Sequence, residues 1–358
     1  LKIVINVDNR CGHYPYKKGI ANVLRYCGHQ VYLWYTEFPD APAILDIFSQ
    51  FKPDILYTNS YSLDSATMKA MEKYPETKLI LFSSAHGEAN TLPMEYPLVR
   101  VTDQEKEYVE HLRKIDRPNF MFLHHHNNVI DFTLGGWKKE FGVNIAGIKH
   151  GGDLFTFFKG QRDKNLICDI GYCGGYWAYK GINIRKFIFP LCDPNRIPPL
   201  NVKIFGNQGD WANLPQYLGF AQDQTLNNLF ASATICPNVH EPHSTDYGID
   251  VVERPFKVIS SGGFCISDHV KSLVEDYFPD NEIPTATTGE EYGELVNYYL
   301  KNEDEREKLR GRQYKRVLGE HTYFESVADI FANLNMPDMV RDVMNHKIIF
   351  LAQNGVNL

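Results

Sequence analysis

Short apolar runs and helix-forming patterns alternate along nearly the whole chain, and no other feature restricts its fold so strongly. Residues 2–8 (KIVINVD) make a first strand of the near-continuous apolar kind found in parallel sheets, where both faces are covered. A loop over 9–19, a helix over 19–26, the turn Gly28-His29 and a second strand over 31–35 complete a βαβ opening. Helices over 43–51 and 62–73 then alternate with strands over 54–58 and 78–82. A strand over 98–102, a helix over 104–114 and a strand over 120–123 extend the series. The polar, basic stretch 151–165 (GGDLFTFFKGQRDKN) interrupts it and reads as a linker. Beyond it the alternation resumes, with strands over 166–172, 202–205, 234–237 and 264–267 and helices over 181–191, 225–232, 290–301 and 303–319.

Such alternation gives doubly wound α/β sheets. A length of 358 residues suits two domains, each with its own core. The expected division is 1–158, 159–335 and a tail over 336–358. In sheets of this kind ligands bind outside the carboxyl ends of the strands. Those ends are 8–14, 59–60, 83–88, 102–103 and 124–128 in the first domain, and 173–176, 206–207 and 238–243 in the second.

Composition narrows the function. A net charge of −7 argues against a general nucleic-acid surface. No apolar run is long enough to span a bilayer and no signal peptide is visible, so a cytoplasmic protein is expected. The 7 cysteines are odd in number and lack a CxxC, which reads as free thiols in a reducing compartment. A dinucleotide GxGxxG, a GxSxG and a P-loop are all missing, leaving dehydrogenase, hydrolase and NTPase readings without support.

The second domain carries the clearest chemistry. Gly174 and Gly175 follow a strand and Lys180 lies six residues after Gly174, so bare backbone N–H groups and an ammonium are available to a diphosphate. Gly206, Asn207 and Asn238 follow the next two strands, where an amide can face a ligand or simply make a turn. Arg254 and Lys257 supply further positive charge beside an acidic run of Glu241, Asp246, Asp250 and Glu253. The run His124 to His126 lies on strand spacing, which turns at most two of the rings to one side, so no metal site is expected.

The segment 247–269 (YGIDVVERPFKVISSGGFCISDH) resembles the donor-sugar segment of GT-B glycosyltransferases, in particular the CgeB-like and group 1 branches. Arg254, Phe256, Gly262, Gly263 and Asp268 match their R-x-F-E-x-x-x-x-G-G-x-x-x-x-D pattern, while Lys257 stands where the family has Glu. The segment 302–323, ending in His-Thr-Tyr, is similar to the family's C-terminal helix pair. The resemblance implies two Rossmann-like domains facing a central cleft, with the tail helix crossing back onto the first. It also implies transfer of a sugar from a nucleotide-sugar donor to a hydroxyl acceptor on a glycan, lipid or protein. The D-x-D of the metal-dependent GT-A class is missing, so no metal or other cofactor is expected.

Within that expectation Gly174, Gly175, Lys180, Gly206, Asn207, Asn238, Glu253, Arg254 and Lys257 are the donor-binding candidates. Glu253 would replace the missing ribose carboxylate, and Lys257 would stabilise the leaving diphosphate. His13 leads and His86 follows among the candidates for a base acting on the acceptor, with His124 or His126 and Asp153 behind them, and Asp250 is the candidate for the carboxylate near the transferred sugar. A nucleotide-sugar 2-epimerase and a non-catalytic surface-assembly protein are the alternatives on the same fold.

Overall fold

The structure, a computed structural model, describes residues 1–8, 14–38, 40–83 and 101–356. The chain divides into two units, Leu1–Lys149 with Phe324–Asn357, and His150–Tyr323. The sequence places the divisions at 158/159 and 335/336. The earlier crossing has a physical reason: Phe157, within the expected linker, is a core residue of the second unit.

In the first unit, β1 (Lys2–Val7), α1 (Tyr14–Tyr26), β2 (Gln30–Tyr35), α2 (Ile44–Phe51) and β3 (Ile55–Asn59) follow one another. Then come α3 (Ser65–Lys73), β4 (Lys78–Phe82), α4 (Asp103–Arg113), β5 (Phe120–Leu123), α5 (Asn127–Phe141) and β6 (Ile145–Gly147). Local chemistry sets the helix starts. Asp64 accepts the Thr67 N–H to cap α3, and Thr102 and Glu105 form a reciprocal capping box on α4. The strands pair in parallel in the order β2-β1-β3-β4-β5-β6. Residues 98–100 of the expected strand over 98–102 lie outside the described residues. The pair α5 and β6 has no counterpart in the sequence reading, because Gly135-Gly136 in mid-helix masks the helical pattern.

The second unit runs β7 (Cys168–Cys173), α6 (Ala178–Phe187), β8 (Val202–Phe205), α7 (Asp223–Ser232), β9 (Ala233–Asn238), α8 (Pro242–Tyr247) and α9 (Arg254–Ser260). It closes with β10 (Cys265–Asp268), β11 (Thr285–Ala286), α10 (Gly289–Lys301) and α11 (Glu303–Glu320). Its five strands are parallel in the order β11-β10-β9-β7-β8. Sequence neighbours such as Cys265 and Ile266, or Ile235 and Cys236, fall in different hydrophobic clusters, as strand alternation requires of a sheet covered on both faces. Between α9 and β10 the Ser-Ser-Gly-Gly break ends the helix. Gly262 takes φ +92°, and the Gly262 and Gly263 N–H groups donate back to Ile259 and Val258.

Two last helices, α12 (Tyr323–Asn333) and α13 (Pro337–Gln353), fall in the first unit, apart from Tyr323. There Tyr26 of α1 meets Phe324 and Phe350 edge-on, at ring separations of 6.0 and 5.6 Å. Among the described residues no helix is long and apolar enough to cross a membrane. The six described cysteines are free thiols.

Candidate functional site

Strand order locates the site before any side chain is considered. In the second sheet the chain steps from β7 outward to β8, then returns to the other side of β7 for β9, so the winding reverses between β7 and β9. Diverging connections open a crevice at such a point, above the carboxyl ends of the two strands. Arg254 spans it. Its Nε donates to the Cys173 carbonyl at 2.6 Å, and Nη1 donates to Asn238 Oδ1 at 2.9 Å and to the Val239 carbonyl at 3.2 Å. The guanidinium also lies 4.9 Å from the centre of the Tyr172 ring.

Nη2 of Arg254 and the Tyr172 hydroxyl both point at Gly174, where an added Cβ would meet each at 2.7 Å. A side chain at 174 would therefore displace the guanidinium. The Tyr172 hydroxyl is wholly buried and has no hydrogen-bond partner among the described residues. Gly206 is required for a different reason, since its Cβ would lie 2.1 Å from the Gly174 carbonyl oxygen. Asn207 clamps the same turn, accepting the Tyr176 N–H at 2.5 Å and donating to the Tyr176 carbonyl at 3.0 Å. Gly206 and Asn207 thus shape the glycine turn that Gly174 and Gly175 form.

Lys180 sits in the first turn of α6 and is 5% exposed. Its ammonium lies over the Trp177 ring at 4.9 Å, and among the described residues it makes no hydrogen bond and no ion pair. Burial, then the neighbouring Arg254 guanidinium, push its pKa down from 10.5 to about 7, against the opposing pull of Glu241, Asp268 and Asp250. A buried, unpaired cation beside a second cation is an unstable arrangement unless something anionic joins it.

A polar wall faces the two cations. His243 donates through Nε2 to Asp250 Oδ2 at 2.9 Å, its Nδ1 is 3.8 Å from Glu241, and its ring stacks on Tyr179 at 5.9 Å. Burial alone would lower the imidazole's pKa, but the Asp250 hydrogen bond and the charges of Asp250, Glu241 and Asp246 outweigh it and hold it above its usual value. Burial raises the Glu241 carboxyl, opposed by Lys180 and His243. Asp250 adopts φ +60°, a left-handed conformation that aims its carboxylate at His243. Beneath the wall, Asp268 accepts both the His240 backbone N–H at 2.9 Å and the ring Nδ1 at 2.6 Å, with both side chains fully buried.

The structure therefore brings Gly174, Gly175, Lys180, Arg254 and Asp250 together, with Gly206 and Asn207 in support. Asn238 is fully buried, its amide held between Arg254 and Ser267. It positions the guanidinium from beneath. Glu253 and Lys257 are engaged elsewhere. One helical turn apart, they pair at 2.7 Å, Tyr323 donates to Glu253 at 2.7 Å, and Lys257 covers the Phe157 ring at 5.0 Å. The expected ribose ligand and diphosphate cation are thus each other's partners. His13 and His86 lie outside the described residues.

Sequence reasoning passed over His243, His240 and Phe220. The run His-Glu-Pro-His directly after a central strand was the available signal for the first two. Phe220 is 83% exposed, and the neighbouring Gly219 carbonyl accepts the Gly206 N–H at 3.0 Å, so its backbone adjoins the glycine turn. Among the described residues no group of three or more His, Cys, Asp or Glu is placed to hold a metal ion.

Two α/β units, each on a parallel sheet, with a cationic glycine turn at the second unit's switch point, define the GT-B glycosyltransferase fold. Residues 185–332 match the family described as Glycosyl transferase-like. The chain is similar in structure to the T4 phage β-glucosyltransferase, with TM-score 0.59, 13% identity and 100% of both chains covered. It is also similar to the sucrose-phosphate synthase of Thermosynechococcus elongatus, with TM-score 0.60 and 10% identity, covering 96% of this chain and 99% of that one. An α-glucosyltransferase solved with UDP-glucose and abasic-site DNA gives TM-score 0.62 at 12% identity over 92% of this chain and 99% of that one. No curated protein matches the chain by sequence.

Proposed function

We propose that the chain is a glycosyltransferase that takes a sugar from a nucleotide-sugar donor and places it on a hydroxyl of a glycan, lipid or protein, without a divalent metal. One observation carries the reading: the buried Lys180 ammonium has no ion-pair or hydrogen-bond partner among the described residues and stands with Arg254 at a switch-point crevice lined by Gly174 and Gly175. A diphosphate supplies the missing negative charge, and its oxygens fit bare backbone N–H groups at a strand-to-helix turn. As the glycosidic bond breaks, charge grows on the leaving diphosphate, and fixed cations stabilise it there. Those two cations do the work for which other enzymes recruit a metal ion.

Phe220 provides a flat apolar surface for the nucleobase beside the diphosphate. The His243–Asp250–Glu241 wall offers acceptors and donors to the hydroxyls of the sugar. DNA accompanies the α-glucosyltransferase among the similar structures, but the net charge of −7 here favours an uncharged acceptor. The base that deprotonates the acceptor is assigned to the first unit, with His13 and His86 as its candidates.

Calorimetric titration with UDP-, GDP-, ADP- and TDP-sugars tests the reading. One should bind, and Lys180→Ala and Arg254→Ala should each weaken it by about 1–3 kcal/mol. Slow release of nucleoside diphosphate and free sugar should follow, unaffected by EDTA. Failure of all four donors to bind would point to the assembly protein, and release of 2-epimerised sugar to the epimerase.

A further inference from the structure

We propose that the site is charged as it fills: arrival of the donor's diphosphate draws one proton from solvent onto Lys180, and departure of the nucleotide returns it. The inference rests on the donor-site reading above and adds its proton balance.

The geometry behind it is a crowded set of ionisable groups around one buried amine. From α9, Arg254 confronts Lys180 with a like charge, held in place by Cys173, Asn238 and Val239. Glu241 follows β9, Asp250 precedes α9 and Asp268 ends β10; these three carboxylates favour the ammonium, and Cys173 of β7 also senses it. Trp177, on the residues leading into α6, covers the amine with an aromatic face in place of water. Asp268 is already committed to His240, and Asp250 to His243, so neither approaches Lys180 as a direct partner. The amine is left with a guanidinium it cannot escape and carboxylates that are occupied. Near neutral pH it is accordingly divided between its two protonation states.

Arg254 cannot respond to an incoming anion, because a guanidinium is always protonated. Lys180 can. Two phosphate charges brought alongside favour its ammonium form and shift the amine fully to it, the proton coming from the buffer. Above about pH 7 donor binding takes up a proton from solvent, and the affinity falls about tenfold for each further pH unit. Such coupling makes nucleotide release easier in alkaline conditions and tighter binding a consequence of mild acid.

The test is titration of the full chain with UDP-glucose, or whichever of the UDP-, GDP-, ADP- and TDP-glucoses binds, in buffers of different ionisation enthalpy at about pH 8. The diphosphate diester has no group of its own that titrates there. The observed enthalpy should vary linearly with buffer enthalpy, with a slope of about 0.9 proton taken up per donor bound. Lys180→Arg, which is always charged, should bind with a slope near zero, whereas Glu241→Gln should keep the uptake. Should Lys180→Arg fail to fold or bind, the wild-type affinity between about pH 7.5 and 9 decides: a tenfold fall per unit supports the inference and a flat profile overturns it. Binding with no buffer dependence in the wild type, or a slope that persists in Lys180→Arg, overturns the proton coupling and leaves the donor site standing. No binding by any donor removes both.

Discussion

Replacing Lys180 with Met should make the unliganded protein more stable while depriving it of its donor. The residue is 5% exposed and its ammonium has no ion pair among the described residues, so folding transfers an unpaired charge out of water. The size of the effect follows from proton linkage. In the unfolded chain the amine titrates near 10.5, and in the folded one at about 7. With the folded value below the unfolded one, the stability that belongs to this group is present above pH 10.5 and is lost as pH falls, fully so below pH 7. The penalty is about 5 kcal/mol at its acid plateau, about 4 at pH 7 and about 2 by pH 9. Methionine keeps the length of the stem and its contact with Trp177 but carries no charge. Glu241 loses a neighbouring cation in the exchange, which offsets part of the gain, so an increase of about 2–4 kcal/mol at pH 7 is expected. For a unit of this size that is a rise in midpoint of roughly 5–15 °C. Thermal unfolding followed by tryptophan fluorescence at pH 7 and pH 9, beside donor titrations of the same samples, measures both halves. The donor should bind about 10–100-fold more weakly. A variant that is less stable at pH 7, or whose gain is the same at both pH values, would refute the reasoning.

Three further outcomes follow from the geometry. Lys257→Met should destabilise the second unit by about 2–4 kcal/mol, because it leaves Glu253 buried without its partner, and adding Glu253→Gln should restore most of the loss; a fall in donor affinity without a fall in stability would return Lys257 to the diphosphate. Asp250→Asn, which tolerates the left-handed backbone, should lower the His243 titration midpoint by NMR; because the folded imidazole lies above its usual 6.5, the variant's stability deficit should be largest below pH 6.5 and fade as pH rises, and a deficit independent of pH would dismiss the pair. Phe220→Ala should weaken binding of nucleotide-sugar by about 1 kcal/mol while leaving inorganic pyrophosphate binding unchanged, and equal losses for both would take the ring out of base contact.

The sequence made the layers of the fold legible because a strand buried on both faces is written as a solid apolar run. Residues 120–123 and 202–205 of the sequence reading coincide with β5 and β8 for that reason. Where the pattern is diluted it failed: Gly135 and Gly136 concealed α5, and the polar run Pro242–Tyr247 read as loop although it forms α8. The site was legible to the extent that it follows single strands. Gly174, Gly175 and Lys180 could be found from their place after β7, and Arg254 from the glycosyltransferase pattern that the segment resembles. What sequence could not convey is the direction in which a helix turns its residues. Glu253 and Lys257 flank α9's start on either side of Arg254, yet one helical turn of separation pairs them with each other and with Tyr323, away from the cations.

The two sheets supply an internal control for which buried cation is offered to a ligand. Each reverses its winding once, between β1 and β3 in the first unit and between β7 and β9 in the second, and each has a cation bridging that point, the buried Lys17 in the first and the half-buried Arg254 in the second. In the first unit Lys17 donates to the Asn6 carbonyl at 2.7 Å and to Asn59 Oδ1 at 2.6 Å, so its charge is answered by the two strands it joins. Arg254 plays the corresponding part in the second, answered by Cys173, Asn238 and Val239. Structural bridging is therefore complete in both units without Lys180. A further buried cation that adds no bridge, has no counterion among the described residues and is held below its usual pKa by burial is hard to account for as scaffolding, since an uncharged side chain of the same length would fill the space at less cost. It is accounted for if the missing counterion arrives with the substrate.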